Sequence, residues 1–479
     1  MEKWIKRIQG CMLDFAGNTS LFVFVSFLCS GVLCMSLLEW YRYQIELCQE
    51  YILLPWGSAL CLYRLKQRND QMLTHGRRDI QTLFLLLAWI IVPFAIRFGL
   101  TFNNVGAWYN HMVVYFGIYA ALRERTSAQR ERSFDQFAML CGALSLVFGA
   151  ALMYAAAQAL SLTIDDQGIP FGLFWDEYTN SWYLAHGVNP NFTGMICLCL
   201  AMVSMAGAAR SRNWILRLLF VLGAGLMVVA VILTQSRTAR YAMIGALAVG
   251  LFGYMMSRNW PSRLLQKGAL AVVLCAAFVV AAFVGADGLT RAALDHYENV
   301  IRVQEEPADT AMQPEAAADS LTLSNDEATP KAAVDGTFSE RTAIWQNLFK
   351  LWKANLKYLV IGNGIGRTGS RIVQGTIFEE AGAVQLHNTY LQHTADFGLI
   401  GTALLALFFA LLVRPLLRVF FAVGDKRKPG YTALMMLVLA MLATGLMESA
   451  PLGGLSPANM MLFFALALLA GRGEDLAHL

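Results

Sequence analysis

The chain has 479 residues, of which 57% are hydrophobic and only 15% are charged, and its mean hydropathy is +0.49. Soluble domains carry roughly 25% charged residues, so this composition excludes an ordinary soluble protein and predicts an integral membrane protein. The net charge of +4 is too small to indicate a nucleic-acid-binding surface, and no nucleic-acid partner is expected.

Twelve apolar stretches are predicted to cross the membrane as helices, because a span needs about 20 mostly apolar residues. They lie near 19–38, 51–65, 80–99, 107–122, 135–160, 190–209, 214–234, 240–257, 264–286, 396–413, 431–449 and 456–471. The predicted fold class is therefore an all-α integral membrane protein with about 12 transmembrane helices. The second stretch is the weakest of the twelve, since it is short and contains Pro55.

Lys and Arg residues are concentrated at alternate ends of these spans. The basic ends include residues 3–7, 64–78, 123–132, 210–217, 258–267, 414–428 and 472. Loops rich in Lys and Arg stay in the cytoplasm, so twelve alternating spans predict that both termini are cytoplasmic. The basic N-terminus is interpreted as part of a retained anchor and not as a removed signal peptide.

Three regions follow from this pattern. Residues 1–286 are predicted to form spans 1–9, residues 287–395 a large loop on the non-cytoplasmic side, and residues 396–479 spans 10–12 with a cytoplasmic tail. Within the loop, 303–336 is rich in Ala, Pro and acidic residues and poor in aromatics, so it is expected to be mobile.

An amphipathic helix is predicted after this segment. Thr337 and Glu340 have the spacing of a capping box, in which each side chain bonds the other residue's backbone N–H. The apolar residues that share one face of this helix are Ile344, Leu348, Leu351, Trp352 and Leu356. Such a helix is expected to lie along the membrane surface or on the end of the helix bundle.

Arginines on the non-cytoplasmic side are candidates for binding an anion. Arg341 falls in the first turn of the amphipathic helix, where free backbone N–H groups also favour an anion such as a diphosphate. Arg237 and Arg240 are three residues apart at the start of a span and share a face. A single such Arg more often pairs with an acid or a lipid phosphate, but two together favour a functional site.

His387 is the candidate general base. It precedes the tenth span in the sequence LHNTYLQHTADFGLIG, and an imidazole is suited to removing a proton from a sugar hydroxyl. A lone His is more often structural, and its position on the same side as the arginines favours catalysis. His393, Arg367, Asn388 and Tyr390 are further candidates for substrate contacts.

Gly364, Gly366 and Gly369 match a dinucleotide-binding pattern, but no βαβ unit surrounds them. We interpret this segment as a turn that brings Arg367 and Arg371 towards the site.

The loop at 161–189 contains acidic and aromatic residues. Its acids, Asp165, Asp166, Asp176 and Glu177, are adjacent in pairs and poorly spaced for a metal ion, so no metal site is predicted. Its aromatic residues could stack on sugar rings, or form the aromatic belt of a membrane interface, which is the commoner role. The nine cysteines of the chain lie mostly in apolar runs and suggest packing, not disulfides or zinc.

Four motifs together resemble the O-antigen ligase and O-antigen polymerase superfamily of bacterial envelope glycosyltransferases. They are TQSRTAR at the start of a span, SERTAIW, GNGIG, and LHNTYLQHTADFGLIG before the next span. Each is short, and their order, spacing and common side make the combined resemblance specific. They fall within roughly the C-terminal half of the chain.

The resemblance implies an inner-membrane enzyme with a large periplasmic loop that contains amphipathic helices between spans 9 and 10. It implies a metal-independent, inverting transferase with no cofactor, which moves a glycan from undecaprenyl diphosphate to a sugar of lipid A–core. Arg237 and Arg341, with Arg240 beside them, would bind the diphosphate, and His387 would activate the acceptor. Its expected partners are undecaprenyl-diphosphate-linked O-antigen, the lipid A–core oligosaccharide and membrane lipids.

Other functions remain open at this point. An O-antigen polymerase differs only in its acceptor, and a protein O-glycosyltransferase is a further relative. A membrane transporter is less favoured, because its ionisable groups would be expected at mid-membrane, whereas here they gather outside.

Overall fold

A computed structural model describes residues 15, 17–33, 52–61, 109–160, 171–176, 181–186, 190–257, 264–305, 338–364, 368–373, 385–422, 425, 428–448 and 456–477. The predicted span at 80–99, the whole of 306–337 and the residues Asp165, Asp166, Glu177 and Arg367 lie outside the described residues. The segment 303–336, which is expected to be mobile, lies outside the described residues except for 303–305, which end a helix.

The described chain is mainly helical. Its first helices are α1 (Thr19–Phe27, continued as a π-helix over Leu28–Leu33), α2 (52–61), α3 (109–123, with a π-helical centre at Val113–Ala120) and α4 (Ser127–Ala157). A hairpin, β1 (Phe171–Asp176) and β2 (Ser181–His186), separates these from α5 (Pro190–Arg210), α6 (Trp214–Leu233), α7 (Arg237–Ser257) and α8 (Leu264–Glu305). Three shorter helices follow, α9 (Phe338–Ala354), α10 (Leu356–Ile361) and α11 (Thr368–Val373), and then α12 (Thr389–Phe421), α13 (Lys428–Thr444) and α14 (Pro457–Asp475).

Six of the described helices are long and apolar enough to cross a membrane, namely α4, α5, α6, α7, α8 and α12. Thr19–Leu33 and Lys428–Thr444 are shorter apolar helices. The protein is thus a multi-pass membrane protein built from helices, whereas the predicted number of twelve spans stays a prediction.

Two helices extend well beyond the apolar stretches that predicted them. The predicted ninth span at 264–286 is part of α8, which ends at Glu305, and the predicted tenth span at 396–413 is part of α12, which begins at Thr389. At 1.5 Å per residue, the 19 residues 287–305 of α8 add roughly 28 Å of helix. Apolar composition predicts which part of a helix lies in the membrane, but it does not predict where the helix begins and ends.

The last helix, α14, forms the centre of the bundle. Every residue from Pro457 to Gly473 is buried, so α14 has no outward face. The ring of Phe463 packs edge-on against Tyr115 and Tyr119 of α3 and stacks on Phe408 of α12, with centroids 4.6, 6.1 and 5.9 Å away. A helix that is apolar on all sides is stable only when neighbours surround it, as here.

The hairpin is an element that the sequence did not predict. β1 and β2 pair antiparallel, with Leu173 opposite Leu184, and both of these side chains are fully buried in the main core. On the other face, the rings of Phe174 and Tyr183 lie 5.4 Å apart. The backbone N–H of Leu173 donates to Leu160 O at 2.8 Å, which fixes the hairpin to the end of α4.

Basic residues predicted to share one side of the membrane meet at one end of the bundle. Arg130 pairs with Asp475 at 2.6 Å, Arg210 with Glu131 at 2.5 Å, and Arg472 with Asp425 at 2.8 Å. The hydroxyl of Tyr431 donates to Glu131 at 2.7 Å, inside the same group of charges.

Candidate active site

A second, smaller core holds the candidate site. In α9, Ile344, Leu348 and Trp352 are buried and pack with Leu386 and Ala395. The predicted apolar face is therefore formed, with one exception: Leu356 lies in α10 and is 65% exposed. The capping-box side chains lie outside the described residues.

Arg341, in the first turn of α9, is turned inwards and only 9% of its side chain is exposed. Its Nη1 donates to Met447 O at 2.9 Å and its Nη2 to Glu448 Oε1 at 3.3 Å. Its Nε is buried and has no hydrogen bond among the described residues. Arg341 thus joins the loop helix to the segment that follows α13.

His387 lies immediately before α12 with a positive φ of 46°, a left-handed conformation that is uncommon for residues other than glycine. Its Nδ1 is 3.6 Å from Glu448 Oε2, and 26% of its side chain is exposed. The single carboxylate of Glu448 therefore lies between Arg341 and His387.

Hydrogen bonds fix the backbone on both sides of His387. Trp345 Nε1 donates to Leu386 O at 2.7 Å, so α9 positions His387 as well as Arg341. Asn388 Oδ1 accepts from the backbone N–H groups of Tyr390 and Leu391 at 3.0 and 2.9 Å and so caps α12.

The same residues hold the segment that carries Glu448. Asn388 Nδ2 donates to Leu446 O at 2.9 Å, and the hydroxyl of Tyr390 donates to Leu442 O at 2.7 Å. Thr389 donates through its hydroxyl to Glu448 O at 2.6 Å. Asn388 and Tyr390, which the sequence suggested as substrate contacts, have structural roles here; their contact with substrate stays a prediction.

The glycine-rich segment crosses α12 at a break in that helix. Gly398 has φ 72° and Gly362 has φ 81°, and a Cβ on Gly398 would lie 2.3 Å from Val360 O. Across the contact, the backbone N–H groups of Asn363 and Gly364 donate to the carbonyls of residues 395 and 396 at 2.7 and 3.1 Å. Gly362 and Gly398 permit the two backbones to touch, and the interpretation of Gly364, Gly366 and Gly369 as a turn stays a prediction.

Arg371 contributes to this crossing. Its Nη1 donates to Asn363 Oδ1 at 3.2 Å, and its guanidinium lies 4.9 Å from the centre of the Tyr358 ring. Its predicted approach to the substrate is untested.

Arg237 and Arg240 begin α7 after a tight turn. Gln235 has φ 53° and donates through Nε2 to Trp182 O in the hairpin at 2.5 Å. Arg237 is exposed, while Arg240 Nη1 pairs with Asp287 Oδ1 of α8 at 3.0 Å.

Helix contacts show at which end of the bundle these arginines lie. Gly253, in the C-terminal half of α7, is in contact with the ring of Phe420, which is at the far end of α12 from Thr389. The N-terminus of α7 therefore points towards the end of the bundle that carries His387 and Glu448. The structure joins Arg341 and His387 through Glu448; it assigns Arg237 and Arg240 to the same end without joining them to that cluster.

His393 is buried one and a half turns further along α12. It is 4% exposed, its ring centre is 4.6 Å from that of Phe397, and the Phe397 ring also contacts His111. In the part of the chain that is described, no group of three or more His, Cys, Asp or Glu side chains is arranged to hold a metal ion.

Sequence reasoning did not assign Glu448 to the site. A signal was present: Glu448 is the only Asp or Glu between Asp425 and Glu474, a stretch that is otherwise mostly apolar. An acid isolated in this way needs a cationic partner, and the partner came from a loop that is remote in sequence.

Comparison with known protein families agrees with the motif resemblance. Residues 222–406 match the family described as O-antigen ligase. This segment is an O-antigen ligase family domain. It includes Arg237, Arg240, Arg341 and His387 and ends before Glu448. No curated protein matches the chain.

The matched segment covers less than half of the chain. Together with the apolar helices, it supports a multi-pass membrane protein with a domain of the O-antigen ligase and polymerase type, which suggests a membrane glycosyltransferase.

Proposed function

We propose that this protein is an O-antigen ligase, which transfers a glycan from undecaprenyl diphosphate to a sugar hydroxyl of lipid A–core. The observation that carries the proposal is the meeting of Arg341 and His387 at one carboxylate. Both residues lie within the family domain, at the bundle end opposite the dense group of basic residues. In this proposal the site faces the periplasm and the chain lies in the inner membrane.

The proposed reaction needs one proton transfer and one displacement at the anomeric carbon. His387 accepts the proton of the acceptor hydroxyl while its oxygen forms a bond to the anomeric carbon, and the bond from that carbon to the diphosphate breaks on the opposite face. The diphosphate leaves with the electron pair, and the anomeric configuration is inverted. One base and a set of cations are sufficient for a leaving group of this quality.

The arginines would stabilise the charge on the departing diphosphate. Arg237 is exposed and accessible to a ligand, whereas Arg240 and Arg341 are each paired with an acid. We therefore propose that the diphosphate is first bound by Arg237 and then approaches the other two. Because these cations supply the positive charge, we expect transfer to continue in the presence of EDTA.

The test uses purified protein, a lipid-linked O-antigen donor and lipid A–core as acceptor, with EDTA present. We expect glycan joined to lipid A–core by wild type and a loss of about 10²–10⁴-fold in His387→Ala, the range for a general base. His296→Ala is the matched control, since His296 contacts Ala157 O and lies outside the cluster.

The products distinguish the alternatives. Longer lipid-linked glycan without a core product would assign the protein as a polymerase. If folded wild-type protein forms neither product, the result would contradict glycosyltransferase activity and favour a membrane transporter. Full activity in His387→Ala would remove the proposed base.

A further inference from the structure

The proposed mechanism assigns no role to Glu448. Its side chain is 13% exposed, and its carboxylate lies between two groups that carry or can accept positive charge. It lies outside the matched family segment, in the turn after α13. A largely buried carboxylate is costly unless it is paired, so the pairing with Arg341 explains its presence but not the approach of His387.

The two carboxylate oxygens face different partners. Oε1 accepts from Arg341 Nη2 at 3.3 Å, and Oε2 lies 3.6 Å from His387 Nδ1. The second distance is longer than a hydrogen bond, and His387 Nδ1 is buried without a hydrogen bond among the described residues. Hydrogen bonds of catalytic groups are often long without substrate and shorten when it binds.

The orientation has a chemical consequence. An ionised carboxylate can only accept hydrogen bonds, so the nitrogen that faces it is the one that carries the proton in a neutral imidazole. When Nδ1 carries the proton and faces Glu448, Nε2 is unprotonated and its lone pair can accept a proton. The ring is partly exposed, so Nε2 is accessible to a substrate.

We propose that Glu448 is a positioning residue that holds His387 in the Nδ1–H tautomer and so makes Nε2 the base. This inference rests on the proposed function. When Nε2 takes the proton of the acceptor hydroxyl, His387 becomes an imidazolium, and Glu448 stabilises it without taking the proton. The proton then leaves from the exposed edge of the ring to water.

Arg341 completes the arrangement by holding the side chain of Glu448 in place. Its bonds to Met447 O and Glu448 Oε1 anchor the turn at both its backbone and its side chain. In the alternative role, Glu448 only anchors Arg341 and does not affect the tautomer of His387. The two roles therefore differ in the tautomer that they predict, and the tautomer can be measured.

The direct test is ¹⁵N NMR of protein labelled at histidine, with the His387 signal assigned by its loss in His387→Gln. We expect wild type to show a protonated Nδ1 and an unprotonated Nε2. An Nε2–H tautomer in wild type would overturn the proposal without the use of any Glu448 variant.

The kinetic test compares Glu448→Gln, Glu448→Asp and the exposed control Glu298→Gln. The amide of Gln has one accepting oxygen, so Glu448→Gln cannot accept from both Arg341 and His387. We expect kcat to fall about 10²–10⁴-fold, as for an acid that orients a catalytic His. The KM of the donor should change little. Glu448→Asp should recover part of kcat, and Glu298→Gln all of it.

The outcomes separate this inference from the proposed function. Glycan transfer abolished in His387→Ala but unchanged in Glu448→Gln, with the same tautomer, would overturn the role of Glu448 and leave the function standing. No transfer by folded wild-type protein would overturn the function itself, and transfer at the full rate in His387→Ala would overturn the roles of both His387 and Glu448 while leaving the function standing.

Discussion

At the residue scale, Arg341 has a structural task in addition to the binding task proposed for it. Its guanidinium donates to two acceptors in different directions, Met447 O and Glu448 Oε1, while its Nε has no hydrogen bond in the part of the chain that the structure describes. A rigid planar fork suits this arrangement better than a single flexible ammonium group.

We therefore predict that Arg341→Lys does not restore normal activity although it keeps the charge. We expect about a 10–10²-fold fall in the transfer rate for Arg341→Lys and about 10²–10³ for Arg341→Ala, the cost of losing a charge contact in the transition state. Initial rates in the reconstituted assay measure this, with exposed Lys353→Ala on the same helix as control. A fully active Arg341→Lys would show that the two directed hydrogen bonds are unimportant.

Which residues form the site could be predicted from sequence only in part. Arg341 and His387 are set in short polar motifs, and the family match covers both. Glu448 is not in such a motif, and 60 residues separate it from His387 in the sequence. Side-chain partners brought together by the packing of distant helices are not encoded in local spacing.

At the scale of elements, the crossing of the glycine-rich segment with α12 positions the loop on the bundle. Gly362 and Gly398 approach so closely that any side chain on either would meet backbone atoms. Next to the break in α12 at Gly398, the carbonyls of residues 395 and 396 accept hydrogen bonds from the loop. This contact fixes α10 relative to the start of α12, and so contributes to placing α9 near His387.

We predict that Gly398→Ala is strongly destabilising. The left-handed conformation costs an L-residue about 1–2 kcal/mol, and overpacking against backbone adds about 1–3 kcal/mol. Thermal unfolding of the detergent-solubilised protein should show a clear fall in Tm. Gly245→Ala is the matched control: it is an exposed helical glycine with nothing within 4 Å, so its Tm should be unchanged or slightly higher. Equal Tm values for the two variants would contradict a tight crossing.

Element boundaries were predicted less well than element identity, and α8 shows why. The stretch 287–305 is too polar to be predicted as a span, yet it contains Ala, Leu, Arg and Glu. It has no proline, and the next one along the chain, Pro307, lies beyond the helix end. Such residues favour a helix in any solvent. The hairpin was missed because its strands are six residues each and lie in a loop that seemed only polar and aromatic.

At the scale of the whole molecule, the two ends of the bundle are chemically different. One end carries several arginines with matching acids, including Arg130, Arg210 and Arg472, which pair with partners from distant parts of the chain. The other end carries the hairpin, the loop helices and the Glu448 cluster. The distribution of basic residues in the sequence predicted this division, because charges near membrane surfaces sort by side.

The partners within each end could not be predicted in this way. Acids such as Glu131 and Asp425 are close to basic residues in sequence, but their ion pairs are with Arg210 and Arg472 of other helices. Leaving a buried charge without its partner costs several kcal/mol, so these pairs also help to specify which helices are neighbours.

The central claim is that His387 and Glu448 act as one unit in glycan transfer, and a double-mutant cycle tests it most directly. Initial rates would be measured for wild type, His387→Ala, Glu448→Gln and the double variant, all shown to be folded. Residues that act as a unit are strongly non-additive, so we predict that the double variant is no slower than His387→Ala. A double variant slower by the product of the two single losses would show that Glu448 acts independently of His387 and would contradict the account.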